Sequence, residues 1–285
     1  MSGEPLLAPA KLNLCLYVGG RRDDGLHEIR SVFEPLELAD ELRVSEGGER
    51  DEVVCEAVGG PNLAAAALAG LREAGWRSPP LRIEIEKRVP VAAGLGGGSA
   101  DAAAVLRLAR GEVEGIRALA ASVGADVPSQ LEPRPCLVAG AGEVVEPIVP
   151  PGRHAIVLIP QRHGLSTAAV YEEADRLGAG RGGSELDAIR RRLHEAVSTG
   201  ASPLDYREHL INDLQPAALS LCPGIAPALA ALSDAGAAHA MVTGSGPTAF
   251  GLFADADSAE GAAAELRERF PETVATAPLY GPGEG

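Results

Sequence analysis

A glycine-rich segment in the first half of the chain has the residue types and spacing of a phosphate-binding loop. Residues 89–109 are VPVAAGLGGGSADAAAVLRLA; an alternating strand precedes them, and a helix is predicted from Ser99 to Arg110. The four glycines between Gly94 and Gly98 lack the Cβ that would keep a ligand away from the backbone. Ser99 occupies the N-cap position, beside unpaired N–H donors and the positive end of the helix dipole. Such a site binds anions, and phosphate is the usual ligand.

Two better-known phosphate motifs do not fit this segment. It lacks the GK[ST] ending of a Walker A loop, and its spacing differs from the GxGxxG of dinucleotide-binding folds. A flexible turn or a closely packed helix start is the alternative interpretation. Four glycines within five positions, between a strand and a helix, favour the phosphate-binding loop.

Lysine is rare in this chain, since only Lys11 and Lys87 occur among 25 basic residues. Lysine supplies a compact, mobile ammonium, whereas arginine supplies a planar fork. Both lysines are therefore candidates for positions that need an ammonium; the alternative is that two lysines remain by chance. Lys11 shares one face of a predicted strand with Asn13. Lys87 comes just before the glycine segment, where it either approaches a nucleotide or ends a solvated strand.

The composition restricts the class of protein and of ligand. The 285 residues are 46% hydrophobic and 23% charged, as in a globular protein. A net charge of −15 argues against nucleic acid as a partner, and no apolar stretch reaches the ~20 residues that cross a membrane. The start of the chain has no signal-peptide pattern, and the four cysteines are scattered. We therefore expect a cytoplasmic protein with reduced cysteines.

Helices and strands mix in both halves of the chain without strict alternation. Strands are predicted at 11–18, 31–44 (with a broken pattern), 81–86, 155–160 and 249–253, and further helices at 62–74, 116–123, 184–197, 224–235 and 258–269. This mixture indicates an α+β protein. The proline-rich segment 146–155 is the predicted boundary between two domains, residues 1–150 and 151–285.

Seven segments, in order along nearly the whole chain, resemble motifs of the GHMP kinases, the family named for galactokinase, homoserine kinase, mevalonate kinase and phosphomevalonate kinase. They are PAKLNLCLYVGGRRDDGLHEIRSVFEPLELAD (9–40), PNLAAAA (61–67), PVAAGLGGGSADAA (90–103), GADVPSQL (124–131), AGAGEVVEPI (139–148), INDLQPAA (211–218) and TGSGPTAFGLF (243–253). The triple-glycine form is similar to the branch of the family whose acceptor is a cytidine diphosphate-linked methylerythritol.

The resemblance implies an N-terminal domain like ribosomal protein S5 domain 2, a ferredoxin-like C-terminal domain and a site in the cleft. It implies transfer of the ATP γ-phosphate, with Mg²⁺, to the 2-hydroxyl of 4-diphosphocytidyl-2-C-methyl-D-erythritol in the non-mevalonate (MEP) isoprenoid pathway. The partners are then small molecules, with no nucleic acid and no membrane, and the protein is a monomer or homodimer.

The resemblance also implies site residues. Asp126 matches the catalytic base and Lys11 the catalytic lysine, whose ammonium would lower the pKa of the base and stabilise developing charge. The residues that match ATP-binding positions are Pro90, Val91, Ala92, Ala93, Gly94, Leu95, Gly96, Gly97, Gly98, Ser99 and Ala100. Those that match acceptor-binding positions are Asn13, Leu26, His27 and Tyr171. Ser99 bonds a phosphate or touches Mg²⁺, and no acidic metal cluster is identified. The third glycine motif, residues 243–247, is expected beside the transferred phosphate.

Each role has an alternative that comes from local structure alone. Asp126 would be the N-cap of a helix that begins at Val127, Lys11 a solvated strand-edge lysine, and His27 a surface-loop residue. Leu26 departs from the family pattern, because a tyrosine usually stands there. Tyr171 corresponds to the opposing aromatic, and the residues SQ stand where aromatics usually follow GADVP.

Two other functions remain open at this stage. One is a GHMP kinase that acts on homoserine or a mevalonate derivative, and the other is a non-catalytic nucleotide sensor of the same fold. The DGLHE turn at 24–28 disfavours the first, and the presence of both Lys11 and Asp126 disfavours the second.

Overall fold

A computed structural model describes residues 4–279 of the chain. The strands are β1 (Leu6–Arg21), β2 (His27–Glu46), β3 (Glu52–Val54), β4 (Leu81–Glu86), β5 (Cys136–Gly140), β6 (Val144–Pro147), β7 (Ala155–Ile159), β8 (His239–Val242), β9 (Ala249–Phe253) and β10 (Val274–Thr276). The helices are α1 (Leu63–Glu73), α2 (Gly97–Arg107), α3 (Ile116–Val123), α4 (Val127–Gln130), α5 (Thr167–Leu177), α6 (Gly183–Val197), α7 (Gln215–Leu221), α8 (Ile225–Asp234) and α9 (Ala256–Leu266). The predicted α+β class is confirmed. Within the described residues, no helix combines the length and apolar character that crossing a bilayer requires.

The first two strands are longer than their sequence patterns predicted. β1 is buried on both faces from Ala8 to Val18, so the polar face with Lys11 and Asn13 is also enclosed. β2 continues through Pro35, where the pattern indicated a break. Proline interrupts the alternation of residue types there, but its fixed φ is compatible with an extended backbone.

The first of two compact units contains the chain through Ala10, Leu38–Val91 and Gly96–Pro133. In this unit β4 pairs antiparallel with Glu41–Glu46 of β2 and parallel with β3. The amphipathic helix α1 packs against α2, and the buried faces of both helices are rich in alanine. Small side chains let two helix backbones approach closely, so α2 is held firmly along its buried side.

The second compact unit contains Lys11–Glu37, Ala92–Leu95 and the chain from Arg134 onward. Here β5 pairs antiparallel with Ile29–Phe33 of β2 and with β6. A separate antiparallel sheet has the order β10-β7-β9-β8, and α8 and α9 pack on it. Strands β7 and β9 are buried throughout, which explains why their residues are almost all apolar.

Both compact units are discontinuous in sequence, because the chain passes between them several times. A single boundary within residues 146–155, between domains 1–150 and 151–285, stays a prediction.

Candidate active site

The ammonium of Lys11 lies in the interior of the second unit. Lys11 is 5% exposed, and its Nζ donates a hydrogen bond of 2.5 Å to Oδ1 of Asn13. The same Nζ lies 4.6 Å from the centroid of the Phe33 ring, in cation–π contact. A buried charge is costly unless other groups compensate for it, and the Asn13 oxygen and the Phe33 ring do so here. The alternative of a solvated strand-edge lysine is wrong.

Asn13 is fixed in one orientation by a chain of hydrogen bonds. Its Nδ2 donates to Oγ of Ser31 at 2.9 Å, and that hydroxyl donates to the carbonyl oxygen of Cys15 at 2.5 Å. Because the Ser31 hydroxyl donates its only proton to the Cys15 carbonyl oxygen, its oxygen must accept a hydrogen bond from the Asn13 amide nitrogen. The Asn13 oxygen therefore faces Lys11. The predicted role of Asn13 in holding the acceptor stays a prediction. Its hydrogen bond with Lys11 joins two residues that the strand pattern already places on one face.

The third glycine motif packs directly on this pair. A Cβ added at Gly244 would lie 3.1 Å from Asn13 Oδ1 and 3.5 Å from Lys11 Nζ. The backbone N–H of Asn13 donates to Oγ1 of Thr243 at 2.9 Å. Asn212, from the INDL segment, donates to the carbonyl oxygens of Val242 at 2.7 Å and Gly244 at 2.8 Å. The motif is thus braced on one side by Asn212 and touches Lys11 and Asn13 on the other.

Residues 90–100 form the glycine loop. The middle of this loop also contacts the third glycine motif. Gly94 has φ +78°, and a Cβ there would lie 2.6 Å from the Thr243 carbonyl oxygen and 2.9 Å from that of Gly246. Backbone atoms cannot move aside cheaply, so Gly94 is glycine because two backbones meet there. The sequence interpretation had assigned this glycine to the approach of a ligand.

Helix α2 begins at Gly97, two residues earlier than predicted, with Gly96 as its N-cap. Ser99 is therefore inside the first turn, and the turn contains no acidic residue that would neutralise the helix dipole. A Cβ at Gly98 would meet only Leu63 Cδ1, at an ordinary 3.7 Å, and Gly98 is exposed. Protein packing does not require a glycine at position 98, whereas close approach of a phosphate to its N–H group would.

Lys87 is part of a buried cluster with Asp40 and Asp101, called the carboxylate–lysine cluster below. Its Nζ donates to Oδ2 of Asp40 and, at 2.8 Å, to Oδ2 of Asp101. The Lys87 side chain is 7% exposed, so a solvated strand end is wrong. Burial disfavours the charged lysine, but the two carboxylates outweigh that effect and raise its pKa. Burial raises the pKa of Asp101 to about 6, against the attraction of Lys87.

Asp126 stands at the start of α4 but does not cap it. Its side chain accepts no N-cap hydrogen bond from that helix, and the residue is half-buried. The Ser129 hydroxyl donates to the Asp126 backbone carbonyl at 2.8 Å rather than to the carboxylate. Asp126 thus occupies the N-cap position of the alternative interpretation without the side-chain hydrogen bond of a cap, and its role as the base stays a prediction.

The predicted acceptor residues His27 and Tyr171 lie together in the second unit. Their rings stack with centroids 4.9 Å apart and an interplanar angle of 30°. His27 is 9% exposed, so the surface-loop alternative is wrong, and its Nε2 lies 2.8 Å from Oδ1 of Asp175. Leu26, the residue just before β2, is 52% exposed. Sequence reasoning missed Asp175, since a single helical aspartate carries no pattern of its own.

Comparisons with known proteins place the chain among kinases. The model described as "GHMP kinases N terminal domain" matches residues 62–130, and "GHMP kinases C terminal" matches 186–272. A 4-diphosphocytidyl-2-C-methyl-D-erythritol kinase of Anaeromyxobacter dehalogenans is 38% identical over 275 residues, covering 92% of this chain and 85% of the relative. The kinase of the same name from Streptomyces coelicolor is 39% identical over 276 residues, covering 91% and 90%.

A solved structure agrees with these relatives in both sequence and fold. The crystal structure of a 4-(cytidine 5'-diphospho)-2C-methyl-D-erythritol kinase is 35% identical and superposes with a TM-score of 0.78, covering 95% of this chain and 97% of that one. The resemblance inferred from seven short segments thus extends over nearly the whole chain. The chain belongs to the GHMP kinase family and is an ATP-dependent small-molecule kinase.

Proposed function

We propose that this kinase phosphorylates the 2-hydroxyl of 4-diphosphocytidyl-2-C-methyl-D-erythritol in the MEP pathway of isoprenoid precursors. The observation that carries the proposal is the similarity, over at least nine-tenths of the chain, to kinases named for that acceptor. The stacked pair His27 and Tyr171 supports it, because it offers aromatic surface for a cytosine ring.

The glycine loop holds the phosphates of ATP in this proposal. The N–H groups in the first turn of α2 lack partners within the helix, and no acidic residue of that turn opposes an anion. Gly98 leaves room for a phosphate oxygen beside its N–H. Within residues 4–279 no group of three or more His, Cys, Asp or Glu side chains could hold a metal. The Ser99 hydroxyl would contact Mg²⁺ bound to the ATP phosphates, and the ion would supply positive charge to offset that of the transferred group.

Two side chains carry the chemistry of transfer. The Asp126 carboxylate takes the proton of the acceptor 2-hydroxyl while the oxygen bonds to the γ-phosphorus and the bond to the ADP oxygen breaks. The Lys11 ammonium offsets the negative charge that develops on the transferred group. Asn13 keeps that ammonium in place through its oriented amide oxygen.

The acceptor is recognised through its cytidine in this proposal. Tyr171 and His27 supply the aromatic surface, Asn13 supplies a polar contact, and Leu26 offers an apolar face in place of a second aromatic ring. Loss of one stacking partner costs on the order of 1–3 kcal/mol. We also propose that the protein works in the cytoplasm, where cysteine thiols stay reduced, as a monomer or homodimer.

The decisive experiment measures ADP release with three acceptors at equal concentration. We expect turnover with 4-diphosphocytidyl-2-C-methyl-D-erythritol and none above background with homoserine or mevalonate. Turnover with homoserine or mevalonate alone would contradict the acceptor assignment and favour another member of the family.

A second experiment separates a kinase from a nucleotide sensor. Asp126→Asn should lower kcat by about a hundredfold or more, because the general base is lost. Asp234→Asn, at an exposed aspartate that ends α8, is the matched control and should leave kcat unchanged. If Asp126→Asn stays within about threefold of the parent, the general-base role is wrong.

A further inference from the structure

Asp40 connects the residues just before the glycine loop to the helix that follows the loop. Its Oδ1 accepts hydrogen bonds from the backbone N–H groups of Arg88 at 2.6 Å and Val89 at 2.8 Å, the two residues before the loop. Its Oδ2 accepts from Nζ of Lys87, which in turn donates to Asp101 on the second turn of α2. Asp40 itself is fully buried.

The start of α2 rests directly on this cluster. A Cβ added at Gly97 would lie 3.2 Å from Asp40 Oδ2, 3.2 Å from Lys87 Nζ and 3.0 Å from Val89 Cγ1. Both ends of the glycine loop therefore contact the Asp40 carboxylate. The N-terminal end does so through two backbone N–H groups, and the C-terminal end through Lys87 and the packing of Gly97.

We propose that Asp40 is a positioning residue for nucleotide binding, which sets the spacing of the two ends of the glycine loop. This rests on the proposed function, since it assumes that the loop binds the ATP phosphates. A loop that keeps its N–H donors in place before the ligand arrives binds more tightly than one that must be ordered on binding. Asp40 touches neither phosphate nor acceptor in this role.

The cluster contains its own matched control. Asp40→Asn and Asp101→Asn each remove one negative charge, and each leaves one carboxylate paired with Lys87. Only Asp40 holds the backbone, however, whereas Oδ1 of Asp101 has no hydrogen-bond partner among residues 4–279. Asparagine has a single acceptor oxygen. An asparagine at position 40 therefore cannot serve both Lys87 and the two backbone N–H groups.

The experiment measures, by calorimetry, the binding of Mg²⁺-ATP and separately of the cytidine-linked acceptor to the parent and to each variant. We expect Asp40→Asn to raise the Kd for ATP about tenfold, from the lost charged hydrogen bonds, with acceptor binding changed less than about twofold. Asp101→Asn should change the Kd for ATP less than about threefold. Glu34→Gln, in the equally buried pair with His154, is the control for lost stability and should lower the thermal midpoint without weakening ATP binding.

Several outcomes overturn the proposal. Equal weakening by Asp40→Asn and Asp101→Asn would show that the cluster acts through charge alone, and unchanged ATP binding in Asp40→Asn would show that the loop keeps its shape without it. If Asp40→Asn does not fold, Asp40→Glu keeps the charge but moves both oxygens by one methylene. ATP binding equal to the parent in Asp40→Glu would likewise refute positioning. A parent protein that fails to bind ATP would instead contradict the proposed function, and this inference with it.

Discussion

Replacing Gly98 with alanine adds one methyl group at the exposed start of α2. The new Cβ would lie 3.7 Å from Leu63 Cδ1, an ordinary van der Waals distance, so the fold accommodates it. Alanine is favoured over glycine in a helix by about 1 kcal/mol, partly because glycine has more freedom to lose on folding. We therefore expect the thermal midpoint of Gly98→Ala to equal or exceed that of the parent.

The same methyl group should harm ATP binding. If a phosphate oxygen accepts from the N–H groups of the first turn, the Cβ of Gly98→Ala occupies space that this oxygen needs. Loss of a hydrogen bond to a charged group is worth about 1.5–3 kcal/mol, so KM for ATP should rise at least about tenfold. KM for the acceptor should stay within about twofold, because the change is confined to the nucleotide site.

Gly94→Ala is the contrasting variant for this measurement. Its Cβ would lie 2.6 Å from the Thr243 carbonyl oxygen, at a residue with φ +78°. The backbone strain alone costs about 1–2 kcal/mol, and the clash adds to it, so the thermal midpoint should fall.

Thermal unfolding and steady-state kinetics with varied ATP test both variants together. If Gly98→Ala keeps KM for ATP within about twofold of the parent, no phosphate lies against that glycine. If Gly98→Ala loses as much stability as Gly94→Ala, the distinction between packing glycines and ligand glycines is wrong.

Three further predictions concern the lysine, the buried carboxyl and the acceptor. Lys11→Arg should lower kcat by at least about tenfold in the ADP-release assay, because a planar fork cannot repeat the contact of the ammonium with Asn13; full activity would contradict this. The pKa of Asp101 is about 6 in the folded protein against an ordinary 3.8, so the folded state binds this proton more tightly than the unfolded state does. The free energy of unfolding should therefore fall by about 3 kcal/mol as the pH rises between these two pKa values. Chemical denaturation should show a smaller loss in Asp101→Asn, and an equal loss would assign the effect elsewhere. Tyr171→Ala should raise KM for the acceptor about tenfold while Tyr171→Phe, which keeps the ring, changes it little; equal effects would refute stacking.

Local features of the fold were predictable because each depends on neighbours in the chain. The alternating pattern predicted β4 at 81–86, and Asn62 caps α1 as the start of the predicted helix, by accepting from the Ala64 N–H. The glycine loop between a strand and a helix was also visible. Boundaries were less accurate: β1 begins at Leu6, because its burial on both faces comes from distant segments that a local pattern does not contain.

In the candidate site, too, some features were predictable from the sequence and others were not. Lysine scarcity indicated Lys11, the resemblance indicated Asp126 and His27, and four glycines between a strand and a helix indicated the glycine loop. The roles of these residues stay predictions. The resemblance itself rested on sequence alone and was confirmed by relatives across nearly the whole chain.

Tertiary structure decided what these residues touch. The contact of Asn13 with Thr243 joins residues 230 positions apart, and that of Lys87 with Asp40 joins residues 47 apart. Such pairs leave no periodic signal, since any polar residue in a strand or turn fits its local pattern equally well. The sequence also does not show why a glycine is needed at each of these positions, because those reasons too are contacts with distant residues. Gly94 is glycine because a second backbone passes over it, whereas Gly98 has no such neighbour in the part of the chain that the structure describes. Only the packed chain reveals this difference.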